Sequence, residues 1–216
     1  MIRVFNASLR PVLCTGLFFV DSQIKKKEDR TMENTKTLKM TRVAILSALS
    51  IVLILLVRIP LFPAAPWLIY DMADVPILIG TLFFGTGAGM TILSIVCLLQ
   101  AFALGGDGLV GFIMHFCSSG ALVIIAGYIY AKRGTFKGLV LGLVIGSLAM
   151  TALMVPLNLV FTVHFYGVPQ DVVIASLGPV VIPFNLIKAG LNSIIAALVH
   201  KGLAPVYAKY MIRRKA

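Results

Sequence analysis

Six apolar runs follow one another from residue 41 onward, and each is bounded by a charge, a proline or a glycine. A helix needs about 20 residues to cross the hydrocarbon core of a bilayer. Because lipid cannot satisfy open backbone groups, apolar runs of this kind are expected to be helical. The predicted spans are 41–59, 74–85, 87–104, 110–131, 136–165 and 180–203. The sequence therefore predicts an all-α integral membrane protein with six transmembrane helices.

Two of these spans have unusual lengths. The second is short, so the proline-rich stretch 60–76 that leads into it is expected to dip into the protein. The fifth is long, and Pro156 is predicted to kink it near its outer third.

Composition supports lipid as the main solvent. Hydrophobic residues make up 59% of the chain and charged residues only 12%, which leaves too little polar surface for a soluble domain. The formal net charge of +11 could indicate nucleic acid, but the basic residues flank the apolar runs and build no patch. Neither the three cysteines nor the three histidines have metal-ligand spacing, so we expect no metal site.

The distribution of charge predicts the orientation. Basic residues precede span one, join spans four and five, and follow span six, so six spans place all three groups on one side. That side should be cytoplasmic, with both termini. Arg58 is the one basic residue expected on the opposite side. The acidic residues after Asn34 all fall there as well: Asp71, Asp74, Asp107 and Asp171.

Three regions follow from this pattern. We interpret residues 1–39 as an N-terminal extension, disordered or misassigned as far as residue 31, followed by a cytoplasmic lead-in that opens at Met32. Residues 40–205 form the membrane domain, and residues 206–216 form a basic cytoplasmic tail.

Lys188 is the one charge inside the last span. A lysine at such depth costs about 3 kcal/mol on insertion scales, so it normally faces a polar cavity or a partner. Asn185 and Asn192 share its helical face, and we expect this face to line a solute site that opens outward. Alternatively, Lys188 snorkels to the interface or pairs with Asp171 or Asp74, and Asn185 bonds a neighbouring helix.

The loop before span two lies on the same side and can cover this site. Trp67 and Tyr70 suit either an aromatic ligand or an interfacial belt. Asp71 and Asp74 are candidate substrate contacts, but caps and loop braces explain them as well. Asp74 precedes Val75-Pro76 and is a good N-cap for span two, and Arg58 is a candidate partner for either aspartate.

Small residues mark helix surfaces that pack closely. Ala44 and Ala48 lie one turn apart on span one, and Gly138, Gly142 and Gly146 repeat this spacing on span five. The glycine-rich turn 85–89 lacks the Gly-Lys-Ser/Thr ending of a phosphate loop. If ATP drives this protein, another subunit must bind it.

Three passages resemble the substrate-binding (S) components of energy-coupling factor (ECF) vitamin transporters, most of all the riboflavin-specific group. The resemblance covers about residues 40–205. Its passages are Ala44-x-x-x-Ala48, Tyr70-Asp-Met-Ala-Asp-Val-Pro-Ile-Leu-Ile-Gly80 and Pro183-Phe-Asn-Leu-Ile-Lys-Ala-Gly190.

This resemblance implies an ECF S-component-like fold in a bacterial cell membrane and a high-affinity riboflavin-binding subunit of an ATP-driven uptake transporter. Such proteins bind a vitamin in an outward pocket and work with a coupling subunit and two ATPases. By this likeness Asn185, Lys188 and Asn158 match ligand-contacting positions, and the face of Ala44 and Ala48 matches the surface that docks on the coupling subunit. It implies no cofactor beyond the transported ligand, and no enzyme activity.

The chemistry of the residues agrees with a flavin. An asparagine can both donate to and accept from an imide edge, and a lysine can donate to a carbonyl or hydroxyl oxygen. A buried lysine disfavours a cationic cargo such as thiamine. It leaves open pantothenate, biotin or folate as cargo of another S component. A non-transporting membrane scaffold is the remaining alternative, while an enzyme would need an acid–base cluster that the sequence does not offer.

Overall fold

The computed structural model describes residues 36–61, 68–105 and 108–215, with side chains as far as residue 207. The chain divides into two compact units, Met1–Arg42 and Val43–Ala216. In the first unit the described residues form about two helical turns. The extension predicted for residues 1–31, Trp67 and Asp107 lie outside the described residues.

Each of the six predicted spans corresponds to a helix in the structure, and the first helix ends at Leu56, three residues before the predicted end of span one. Two π-helical segments, Asn158–Thr162 and Leu177–Val181, extend α5 and join α6 to α7. The helices are α1 Lys36–Leu56, α2 Asp74–Phe84, α3 Thr86–Ala103, α4 Gly108–Arg133, α5 Phe136–Leu157, α6 Gln170–Ser176 and α7 Ile182–Lys215.

Five helical stretches among the described residues are long and apolar enough to cross a membrane, and α2 is the exception. At 1.5 Å per residue its 11 residues extend roughly 16 Å, about half of a hydrocarbon core. Most of its side chains are buried between α3, α4 and α7. Neighbouring helices therefore surround this short span. The sequence predicted that the proline-rich stretch 60–76 dips into the protein; Tyr70, Asp71 and Ala73 of that stretch are buried, and residues 62–67 lie outside the described residues.

The last span begins earlier than the sequence predicted. Its helical stretch starts at Gln170, ten residues before the predicted start, because Gly178 and Pro179 do not end the helix. They lie in the π-helical segment Leu177–Val181, whose wider turn accommodates a proline that cannot donate a backbone hydrogen bond. The helix also continues to Lys215, so the residues predicted as a tail extend α7.

The sequence predicts a kink at Pro156, and the structure has a change of helix type close to it. Pro156 lies inside α5, and π-helical geometry begins two residues later at Asn158. Proline removes one intrahelical donor and crowds the preceding turn, which favours such a local widening.

A two-residue β-ladder interrupts the helical architecture. Strand β1 (Ile59–Pro60) pairs antiparallel with β2 (Ile69–Tyr70), with Ile59 opposite Tyr70. The all-helical prediction did not include it. The pairing closes the loop after α1 and brings Tyr70 to the start of α2, where both Tyr70 and Asp71 are buried.

The glycines of α5 set its distance from α4. A Cβ atom added at Gly142 would lie 3.0 Å from the carbonyl oxygen of Ala126, and one at Gly146 would lie 3.0 Å from that of Leu122. Only glycine permits this approach, as expected for small residues where membrane helices associate. Large apolar side chains such as Leu56 and Leu198 are exposed instead, which suits a surface that faces lipid.

Candidate functional site

A buried ion pair joins α7 to the residues that follow β2. Lys188 Nζ lies 2.9 Å from Asp71 Oδ2, and the two residues are only 8% and 4% exposed. A charge-assisted hydrogen bond of this length is among the stronger polar contacts in proteins. The sequence offered Asp171 or Asp74 as partners for Lys188, and both choices are wrong. Asp71 pairs with it because the β-ladder brings Asp71 beside α7.

Asp71 uses its other oxygens to fix the chain around it. Its Oδ1 atom accepts a hydrogen bond from the Ala73 backbone N–H at 3.1 Å. Its backbone carbonyl accepts one from Asn192 Nδ2 at 3.2 Å. These contacts match the interpretation of Asp71 as a residue that holds the loop in place.

Tyr70 and Asn192 form a second connection between the same elements. The Tyr70 hydroxyl donates to Asn192 Oδ1 at 3.0 Å, and Asn192 is fully buried. Burial, together with the charge of Asp71, raises the pKa of Tyr70 above its ordinary value. The phenol therefore stays protonated at neutral pH and remains a donor. Asn192 lies on the face predicted for it, and its amide is used to anchor the loop.

The prediction that Asp74 caps α2 is wrong. Ala73 occupies the N-cap position without a side-chain cap, and Asp74 is the first residue of the helix. Its Oδ1 atom lies 3.4 Å from Nε2 of His115 on α4, and the residue is buried. The two aspartates thus pair with Lys188 and His115, and among the described residues neither forms an ion pair with Arg58.

His115 is the contact that sequence reasoning missed. It is 41 residues from Asp74, and no spacing rule links a histidine in one span to an aspartate at the entry of another. It is the first polar side chain of α4, about two turns from the start of the helix, and this depth is the one signal that could have singled it out.

The two candidate asparagines occupy equivalent local positions. Each lies two residues after a proline, Pro156 for Asn158 and Pro183 for Asn185. Asn158 Nδ2 donates to the Met154 carbonyl, and Asn185 Nδ2 donates to that of Val181, both at 2.8 Å. Each bond reaches the residue four positions back, so each amide is oriented by its own helix.

Asn185, and not Asn158, keeps its amide oxygen available. The Oδ1 atom of Asn158 accepts from Thr162 Oγ1 at 3.2 Å, whereas that of Asn185 accepts no hydrogen bond from the described residues. Lys188 likewise makes one hydrogen bond with the described residues, and an ammonium group carries three donors. Asn185 and Lys188 therefore offer an acceptor and two donors one turn apart on α7.

The face of α1 predicted to dock is exposed. Ala44 and Ala48 are both exposed, while Ser47 and Ser50 on other sides of the helix are buried. Ser50 Oγ donates to the Ala73 carbonyl at 3.0 Å, so α1 also contacts the start of α2. The alanines are thus left on an accessible surface next to apolar side chains.

No group of three or more histidine, cysteine, aspartate or glutamate side chains lies close enough to hold a metal ion within the described part of the chain. The polar groups instead form pairs that join separate helices. This arrangement can orient hydrogen bonds to a neutral solute.

Comparison with known proteins decides the family. The family described as "ECF transporter, substrate-specific component" matches residues 38–200. The chain belongs to the ECF transporter S-component family. It is therefore a multi-pass membrane protein and a transporter component, which confirms that it is not an enzyme.

Named relatives and a solved structure agree with this family. The chain is 33% identical to the riboflavin transporter RibU of Streptococcus thermophilus, over 81% of this chain and 87% of that protein. It is 30% identical to the riboflavin transporter FmnP of Bacillus subtilis, over 79% and 94%. The solved structure titled "Structure and mechanism of the S component of a bacterial ECF transporter" covers 79% of this chain and 98% of its own, with 31% identity and a TM-score of 0.70.

Proposed function

We propose that this S component binds riboflavin on the outward side of the membrane and delivers it with a coupling subunit and two ATPases. The observation that carries the proposal is the buried Lys188, whose charge is balanced by Asp71 and which keeps hydrogen-bonding capacity beside Asn185. Relatives named riboflavin transporters, about 30% identical over most of the chain, support the same cargo.

The side chains on α7 suit the functional groups of a flavin. The amide of Asn185 is held by the Val181 carbonyl, so its Oδ1 atom can accept from the imide N–H of the ring while its second N–H donates to a carbonyl. Lys188 can donate to a carbonyl or a hydroxyl of the polyhydroxyl tail. A few fixed polar groups among apolar walls are typical of small-molecule sites.

The charge balance of the site favours a neutral cargo. An isolated ammonium group would attract a carboxylate, but Asp71 at 2.9 Å already neutralises Lys188. Asp74, the other buried carboxylate of this region, is paired with His115. Anionic vitamins such as pantothenate, biotin and folate would meet these carboxylates, whereas riboflavin carries no charge at neutral pH.

A direct test is to record the absorption spectrum of the freshly purified protein and to titrate riboflavin by fluorescence quenching. We expect bound flavin and nanomolar affinity. Lys188→Gln/Asp71→Asn removes both charges together, and Asn185→Leu removes the amide. Each variant should weaken riboflavin binding about 10- to 100-fold, which is the change in affinity expected when a hydrogen bond with a charged or well-oriented group is lost.

Lys132→Gln serves as the control, because Lys132 is exposed at the opposite end of α4 and should leave the affinity unchanged. A correctly folded protein that binds no flavin would refute the cargo. Thermal stabilisation by pantothenate, biotin or folate instead would reassign the cargo within the same family.

A further inference from the structure

A surface on α5, far from the α7 site in sequence, combines an apolar groove with positive charge. The groove has a volume of about 410 Å³ and is lined by Phe136, Lys137, Val140, Leu141 and Val144. Lys137 is exposed, and so are Val140 and Val144. On a membrane-spanning helix, exposed apolar side chains such as Val140 and Val144 face the acyl chains of the bilayer.

A second helix adds a cation at the mouth of this groove. Nζ of Lys201 on α7 lies 5.7 Å from the centre of the Phe136 ring, within the range of a cation–π contact. Lys201 from α7 thus lies over the ring of Phe136, which lines the same groove as Lys137. Both belong to the side of the membrane that the charge distribution makes cytoplasmic.

These lysines have no counter-charge among the described residues. The ion pairs of that part of the chain are Lys188–Asp71 and His115–Asp74, and neither involves Lys137 or Lys201. From residue 34 onward every acidic residue lies in a segment assigned to the opposite side. The other four acidic residues lie within residues 21–33, together with four basic residues, so they offer no surplus of negative charge.

The position of Lys137 on its helix is unfavourable for a cation that has no counter-charge. It lies in the first turn of α5, which contains no acidic residue. The N-terminus of a helix carries partial positive charge, so a lysine there is destabilised by the helix dipole unless an anion is close. The described protein supplies none, and an anion from outside the chain would stabilise both the helix and the lysine.

We propose that this groove binds a phospholipid with a net negative headgroup. Its phosphate would lie between Lys137 and Lys201, and one acyl chain would run along Val140, Val144 and Leu148, which are exposed at successive turns of α5. A protein partner fits less well, because the groove continues into exposed apolar side chains over several turns of α5 and contains no residue of the alanine face of α1.

The test is competition between two lipids with identical acyl chains. Detergent-solubilised, delipidated protein is incubated with equal amounts of phosphatidylglycerol and phosphatidylcholine, and retained lipid is counted by native mass spectrometry. Two lysines near a headgroup should favour phosphatidylglycerol about thirtyfold. Lys137→Gln/Lys201→Gln should reduce this preference at least fivefold, and Val144→Phe, which fills the groove, should lower retention of both lipids.

Lys36→Gln/Lys39→Gln is the matched control. It removes the same charge from α1, which contributes no residue to the groove, and should keep the wild-type preference. Equal retention of the two lipids by the wild type, or an unchanged preference in Lys137→Gln/Lys201→Gln, would overturn the proposal. If that variant keeps its lipid preference but loses the coupling subunit on co-purification, the lysines serve a protein partner and the proposal is wrong.

Discussion

Lys188 and Asp71 act as one structural unit at the residue scale. Each is buried, and each would be an isolated charge in a poorly solvated region without the other. Breaking a buried pair by removing one partner costs about 3–5 kcal/mol, whereas removing both charges together is often nearly neutral. The pair therefore explains how a lysine is tolerated at this depth before any cargo binds.

This energetic asymmetry gives a stability prediction. Lys188→Met should lower the melting temperature of the detergent-solubilised protein by about 10 °C, because it leaves the Asp71 carboxylate uncompensated. Adding Asp71→Asn should restore more than half of the loss, since asparagine keeps an acceptor for the Ala73 N–H. Thermal unfolding without ligand measures both. A double variant as unstable as Lys188→Met would show that the pair does not stabilise the fold.

Sequence spacing could place side chains on one helix face but not choose their partners. The common face of Asn185, Lys188 and Asn192 follows from helical geometry alone, and the structure confirms it. Asp71 is 117 residues from Lys188, and nothing local distinguishes it from Asp74 or Asp171 as a partner. The same limit explains why His115 was missed.

At the scale of elements, close packing between α4 and α5 depends on glycines whose spacing is visible in the sequence. A side chain at Gly142 would approach the backbone of Ala126, including its carbonyl oxygen at 3.0 Å and its Cα at 3.1 Å. Backbone atoms cannot rotate away as a side chain can, so the helices themselves would have to separate.

Gly142→Ala should therefore destabilise the protein by about 1–3 kcal/mol, the usual cost of overpacking. In a chain of this size that corresponds to a fall of roughly 3–10 °C in melting temperature. Gly202→Ala on α7 is the control, because a Cβ there meets no atom within 4 Å. Equal melting temperatures for the two variants would mean that the contact between α4 and α5 relaxes without cost.

The π-helical segment Leu177–Val181 lies where sequence rules predict the end of a helix. Gly178-Pro179 is a strong boundary signal by the ordinary rules, yet the chain stays helical through it. The wider turn accommodates the backbone group that proline leaves unpaired, although Gly178 and Pro179 are themselves exposed. A proline can therefore widen a helix as well as end it, and the sequence signal alone does not distinguish the two outcomes.

At the scale of the whole molecule, the polar groups around Lys188 and the alanine face of α1 take part in different contacts. The Lys188 pair, Tyr70 and Asn192 hold the entry of α2 against α7. Ala44 and Ala48 are exposed and take no part in these contacts. A variant on α1 should thus affect assembly with a coupling subunit without affecting ligand binding.

Ala48→Trp tests this separation. The bulky ring should block close approach of a partner helix, reducing the coupling subunit recovered by co-purification at least tenfold and abolishing uptake in cells. Flavin binding by the isolated variant should stay at the wild-type level. Leu198→Trp, at another exposed apolar position, should behave as wild type. Normal co-purification of Ala48→Trp would place the docking surface elsewhere.

The membrane class, the six apolar helices and the polar face of the last helix could be predicted from the order of the amino acids, as could an expected orientation. These properties depend on hydropathy, charge and helical periodicity, which are local along the chain. The pairing of Asp71 with Lys188, of His115 with Asp74 and of Asn192 with Tyr70 is visible only in the folded protein. Those contacts join residues more than 40 positions apart, and their pairing is set by how the helices and the small β-ladder pack together.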